Sequence, residues 1–165
     1  MAAGSRGKED CVTKKERPDR TEKEGVPVLL TVTGRQTDPD SGTQENTAAY
    51  RAEMKNCGEG VLFSYRTEDA PVQLFVSRER AWMQRGGNRE GRMVFDPSVS
   101  STRCDYETAY GVIPMEIRTE GISLLAGGGP AGGSRGLRAR IRYRLIMSPE
   151  YELTCSVTIK TQQTD

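Results

Sequence analysis

Residues Leu137–Met147, LRARIRYRLIM, alternate in twos. Leu137, Ala139, Ile141, Tyr143, Leu145 and Met147 fall on one side. Arg138, Arg140, Arg142 and Arg144 fall on the other, and Ile146 ends that polar row. Successive side chains of an extended chain point to opposite faces, so this period predicts a long strand with one apolar and one guanidinium face. The flanking segments pair with it apolar to apolar. A hairpin turning at Ser148-Pro149-Glu150 sets Tyr143 opposite Cys155, Ile141 opposite Val157 and Ala139 opposite Ile159. The same register brings Arg142 to Ser156 and Arg138 to Lys160. On the other side, a hairpin through the glycine-rich stretch 127–136 sets Ile117 opposite Tyr143, Glu116 opposite Arg144 and Glu120 opposite Arg140.

The rest of the chain reads in the same period. Val26, Val28, Leu30 and Val32 form one face of a first strand, with Thr31 and Thr33 on the other and Gly34 ending or kinking it. Residues 37–44, TDPDSGTQ, read as a loop. Glu45–Asn56 has helix-compatible composition among strand-like neighbours and is assigned to a strand or a short irregular turn. Val61, Phe63 and Tyr65, then Val72, Leu74 and Val76, supply inward faces of two further strands. A short segment carrying Trp82 follows, then a Gly86-Gly87-Asn88 turn and Arg92–Asp96. Thr102–Thr108 alternates cleanly, and Val112–Thr119 places Ile113, Met115 and Ile117 on one face. No amphipathic helix is predicted. Many short antiparallel strands with one apolar face predict an all-β barrel of about 8–10 strands in a meander, since closure removes exposed edges.

Composition narrows this picture. At 165 residues the chain has room for one domain. Residues 1–25 mix Lys and Arg with Asp and Glu, hold almost no large apolar group, and read as a disordered charged tail ahead of a single domain over 26–165. There is no run of about 20 apolar residues, so no membrane span. The N-terminus MAAGSRGKEDC lacks the apolar core of a secretory signal, so a soluble cytoplasmic location is expected. Net charge is +1, unlike the strongly basic balance of a dedicated nucleic-acid binder. After residue 25 the basic side chains are arginine except for Lys55 and Lys160; codon usage in a GC-rich genome is the plainer account.

A set of motifs identifies a family. VLLTVTGRQ (28–36) ends a first strand in Gly-x-Gln. YETAYGVIPMEIRTEG (106–121) carries Tyr-x-Thr-x-Tyr-Gly followed by Met-x-Ile-x-Thr, and RIRYRLIM and LTCSVTIK come after it. This order resembles the YwiB-like family, small bacterial cytoplasmic proteins with a calycin-like (lipocalin-type) β-barrel and no assigned function. Ala109 stands where the family usually has proline, and stretch 127–136 is an expansion. The resemblance implies a barrel that holds a small apolar or anionic molecule in its mouth, without a cofactor. Gln36 and Met115 of the shared motifs, with Trp82, Tyr106, Tyr110 and Tyr143, are the candidate ligand-binding residues.

The residues themselves offer little chemistry. Without histidine there is no His-based triad, His acid–base pair or His-ligated metal. Cys11, Cys57, Cys104 and Cys155 are spaced for neither a zinc site nor a disulfide framework. Cys104 and Cys155 fall on apolar faces and read as small hydrophobes, whereas Cys57 is the better redox candidate. The glycine-rich loop lacks the Gly-Lys-Ser/Thr ending and the following helix of a phosphate loop. Asp105/Glu107 and Glu116/Glu120 read as outward salt-bridge partners of the arginines rather than an acid–base pair. An enzyme is therefore not expected, and neither a metal nor a cofactor is called for. The alternative to a ligand-holding barrel is an interaction module in which the row Arg138, Arg140, Arg142 and Arg144, or a sheet edge, docks RNA or a protein partner.

Overall fold

The computed structural model describes residues 25–86, 92–128 and 135–163, apart from the side chains of 106–108, 126–128 and 135. The predicted charged tail, the Gly87-Asn88 part of one turn and the middle of the 127–136 stretch lie outside the described residues. Ten strands follow one another: β1 (Val26–Asp38), β2 (Gly42–Cys57), β3 (Gly60–Arg66), β4 (Pro71–Ser77) and β5 (Ala81–Arg85). Then come β6 (Met93–Phe95), β7 (Thr102–Thr108), β8 (Gly111–Gly128), β9 (Arg135–Ser148) and β10 (Tyr151–Gln163). Among the described residues there is no helix.

Sequence neighbours pair antiparallel, except β6 with β7; β1 also pairs with β10, and the sheet order is β6-β5-β4-β3-β2-β1-β10-β9-β8-β7. The two ends of that order, β6 and β7, come together without a strand ladder. The Thr102 hydroxyl donates to the Val94 carbonyl at 2.6 Å, and the Asp96 amide donates to Thr119 Oγ1 at 3.1 Å. The result is the expected all-β meander, a nearly closed barrel of calycin-like form.

The β9–β10 register is the one that the alternation predicts: Tyr143 lies opposite Cys155, Ile141 opposite Val157 and Ala139 opposite Ile159. The β8–β9 register differs. Ile117 faces Leu145 rather than Tyr143, and Glu116 faces Ile146 rather than Arg144. The ladder then slips by one residue between Thr119 and Gly121, which leaves Glu120 unpaired in a bulge. The cause lies in the side chains. Up to the bulge the buried positions of β8 are Met115 and Ile117; beyond it the core-packing ones are Ile122 and Leu124. The apolar parity changes from odd to even, and an extra residue is needed for both halves to face inwards.

Two further expectations are corrected. Gly34 neither ends nor kinks β1, which runs on to Asp38 with continuous pairing to β2. The loop over 37–44 shrinks to a turn at 39–41, held by the Asp40 amide on Asp38 Oδ1 at 2.9 Å and by Gly42 at φ 90°. Glu45–Asn56 is strand, inside β2.

The barrel interior is packed. Leu30, Phe63, Leu74, Ile117, Ile141 and Ile159 are almost wholly buried and belong to one cluster spanning the walls. Phe95 of β6 meets Tyr143 of β9 with ring centroids 4.8 Å apart, packing across the seam where β6 meets β8. Tyr50 stacks on Tyr65 at 4.7 Å. Burial of such side chains contributes roughly 1.5–3 kcal/mol each. A second cluster lies on the outer surface, where Leu62, Phe75 and Trp82 are buried against Val94 and Cys57.

Two stability predictions follow from this packing. Ile141→Ala is expected to cost about 2–5 kcal/mol in a denaturant melt, while Arg140→Ala, on the other face of the same strand, stays within roughly 0.5 kcal/mol. Equal losses would refute the assignment of faces. Burial pushes the Tyr65 phenol up from 10.0 to about 12, and also raises that of Tyr143. Below the unfolded value both states keep the proton. Between about 10 and 12 the unfolded chain releases protons that the fold retains, so stability falls over that window. The melting temperature should decline as pH rises through it, and Tyr65→Phe should make the decline shallower.

Candidate functional site

The arginine row stands on the outer surface. Ala139, Ile141, Tyr143 and Leu145 are buried, so the intervening Arg138, Arg140, Arg142 and Arg144 project to solvent, and all four are exposed. Alternate residues of a strand lie about 6–7 Å apart, which sets the pitch of the row. The ladders then place its neighbours. Arg138 lies between Leu125 and Lys160, Arg140 between Ser123 and Thr158, and Arg142 between Gly121 and Ser156, beyond which comes Arg35 of β1. Hydroxyls and cations, rather than carboxylates, flank the row over this length.

Its far end is different. Arg144 Nε reaches Glu120 Oε2 at 2.9 Å and Arg144 Nη1 reaches Glu152 Oε2 at 3.0 Å. These bonds, Glu120 foremost, raise the pKa of Arg144. Arg118 is bonded to Glu116 at 3.3 Å. The Ser101 hydroxyl and then Arg118 hold the Glu116 carboxyl below its usual range. Among the described residues, Arg138, Arg140, Arg142 and Lys160 have no such ion pair. The expected neutralisation of the row is thus corrected in its detail. Glu120 serves Arg144 and not Arg140, because the bulge displaces it, and Glu116 turns to Arg118. Glu152 was not singled out by sequence reasoning. The β9–β10 register set it diagonal to Arg144, and that was the available signal.

The residues expected to hold a ligand inside the barrel do not converge. Gln36 and Tyr143 do share a recess of about 110 Å³ with Gly34, Gln44, Asn46 and Val157. The space exists partly because Gly34 has no neighbour where a Cβ would stand. Met115 is a core residue, packed rather than lining a void. Trp82 lies on the outer side of the wall, stacked on Phe75 and covered by the Arg92 guanidinium at 3.9 Å. Parity explains this, since Trp82 pairs with Phe75 and both alternate with inward Leu74, Val76, Ala81 and Met83. Tyr110 is 98% exposed at the β7–β8 turn. The Tyr106 side chain lies outside the described residues.

Nucleophile chemistry finds little support in the thiols. Desolvation pushes Cys155 up to about 11 and raises Cys104 as well, so both stay protonated. Among the described residues no group of three or more His, Cys, Asp or Glu is placed to hold a metal ion. An outer crevice of about 370 Å³ runs between Arg78–Arg80 and Asp96–Ser98, and there Arg80 and Asp96 face each other at 3.6 Å.

With this geometry, comparison with known proteins is informative about fold. A family model described as a domain of unknown function (DUF1934) matches residues 30–159. Among solved structures, the crystal structure of the YwiB protein from Bacillus subtilis is similar, with a TM-score of 0.68 at 18% sequence identity, covering 87% of this chain and 96% of that one. Likeness at that identity carries the fold alone. No curated protein matches the chain. The matched span reaches from β1 into β10 and includes the whole arginine row, so this chain belongs to the DUF1934 family and has a YwiB-like barrel.

Proposed function

We propose that the protein is a non-enzymatic binding module that offers the β9 arginine row to the phosphate backbone of RNA. The observation behind this reading is the exposed row of Arg138, Arg140 and Arg142, with Lys160 beside it, which has no carboxylate partner among the described residues. Guanidinium groups bind phosphate oxygens in pairs of parallel hydrogen bonds. The flanking hydroxyls of Ser123, Ser156 and Thr158 supply further donors.

A protein partner is the weaker reading. Binding hot spots need aromatic or apolar anchors, and the row is flanked by Ser, Thr, Gly and cations, with Leu125 at one end. No aromatic directly flanks Arg138, Arg140 or Arg142, which argues against base stacking there, so recognition would be of backbone charge and not of sequence. A ligand inside the barrel has less to support it, because the described recess is well below the roughly 300–1,000 Å³ of typical small-molecule pockets. The non-enzymatic part rests on the absence of histidine and on two thiols held in their protonated form.

Counterion release gives the test its numbers. Four cations on a single strand predict a slope of log affinity against log salt near −3, from about −0.7 per contact. Anisotropy of a labelled single-stranded RNA, titrated across salt concentrations, should show that slope. Replacing Arg138, Arg140 and Arg142 by Ala should reduce its magnitude by about 2 and weaken binding at every salt concentration. Arg144→Ala should change binding far less, because Glu120 and Glu152 already neutralise that charge. No binding at low salt, or equal losses from Arg144 and Arg140, would sink the proposal.

A further inference from the structure

We infer that two copies of this chain pair through β2, edge to edge and antiparallel, continuing one sheet across a two-fold axis. Residues Gly42–Ala52 pair with β1 on one side. Pairing with β3 begins only at Glu53, so among the described residues the other side of Gly42–Ala52 has no strand against it. Gly42–Ala49 is exposed throughout. In an antiparallel ladder every second residue directs its N–H and C=O to the same side, so this stretch presents a row of open donors and acceptors. Its pairing to β1 is regular, without a bulge, so the row is unbroken.

Several other edges carry guards that this one lacks. Strand β6 has three residues. Strand β7 carries Arg103, Asp105 and Glu107 at alternate positions. Beyond Ile117, strand β8 is interrupted by the bulge and bears Arg118 and Glu120. Short length, charge and bulges are the usual defences against edge pairing. In Gly42–Ala52, GTQENTAAYRA, there is no proline, no lysine and two charges of opposite sign, Glu45 and Arg51.

The occupant that fits is a second copy. Antiparallel self-pairing centred on Thr47, the midpoint of the open stretch, sets Glu45 opposite Ala49, Thr43 opposite Arg51 and Gln44 opposite Tyr50. No like charges face each other in that register, and short neutral side chains meet over the centre. The contact is closed by its own symmetry, so it gives a dimer and not a fibre. A two-fold axis perpendicular to the sheet keeps the outer face of one copy continuous with that of the other. The dimer stands on the β2 edge alone and does not depend on RNA binding.

Light scattering on a size-exclusion column, run on the full chain up to its solubility limit, tests this. The wild-type chain is expected at twice the 18.2 kDa of one copy. Thr47→Lys should weaken self-association by about tenfold or more, since it opposes two lysines at the axis. Thr47→Val should stay dimeric. The Thr47 side chain is exposed and, among the described residues, its hydroxyl meets only that of Thr33, at 3.1 Å, so both variants should melt close to wild type and thus report association rather than folding. A wild-type monomer throughout, or a Thr47→Lys variant as dimeric as wild type, would overturn the inference.

Discussion

The strict alternation of β9 governs both surfaces of the barrel. A one-residue slip of this strand would turn Arg138, Arg140, Arg142 and Arg144 into the core and put Ala139, Ile141, Tyr143 and Leu145 in water. Desolvating a charge costs several kcal/mol even after relaxation, so four guanidiniums make that slip prohibitive. The register is therefore held from both sides, by core packing and by the cost of burying charge. The β9–β10 ladder runs without a shift from Glu152 to Lys160. What makes the core face of β9 apolar also makes its outer face cationic.

The β8–β9 ladder shows how an adjacent strand adapts to this constraint. Strand β8 spans 18 residues, and its apolar positions change parity half-way along. A bulge at Thr119–Gly121 absorbs the change and tips Glu120 out of the ladder towards Arg144. A packing requirement inside the barrel thereby decides which arginine outside is neutralised. Just before the bulge Thr119 lies opposite Tyr143, and Thr119 accepts the Asp96 amide at the seam between β6 and the β7–β8 hairpin. Closure of the barrel and the charge pattern of its surface are thus linked through three residues.

The candidate site differs in kind from the mouth of a ligand-binding barrel. The interior is filled by one cluster of buried side chains, and Phe95 against Tyr143 closes it at the seam. The space at Gln36 and Tyr143 is small and partly amide-lined. By contrast, the outer sheet of β8, β9, β10 and β1 presents cations and hydroxyls in ordered rows. That contrast is what supports the proposed reading of an extended polyanion on this surface.

Much of this was legible in the alternation. Strand existence, the antiparallel meander, the β9–β10 register and the outward direction of the arginines all follow from a period of two, because in a strand the face of a side chain is set by parity alone. The parity change between Ile117 and Ile122 was also written there, and reading it would have located the bulge. Three-dimensional packing decided the rest. Trp82 lies outside the wall because its ladder partners fix its parity, and an aromatic residue in a five-stranded stretch of short elements does not declare its face. Glu120 and Glu152 converge on Arg144 from two different ladders, a meeting that depends on both registers at once. The unguarded edge of β2 exists because β3 is only seven residues long against sixteen in β2. Local pattern dictates which way the side chains of a cleanly alternating strand point; which strands run out of partners, and which charges find one another, is settled only when all the ladders close around a single core.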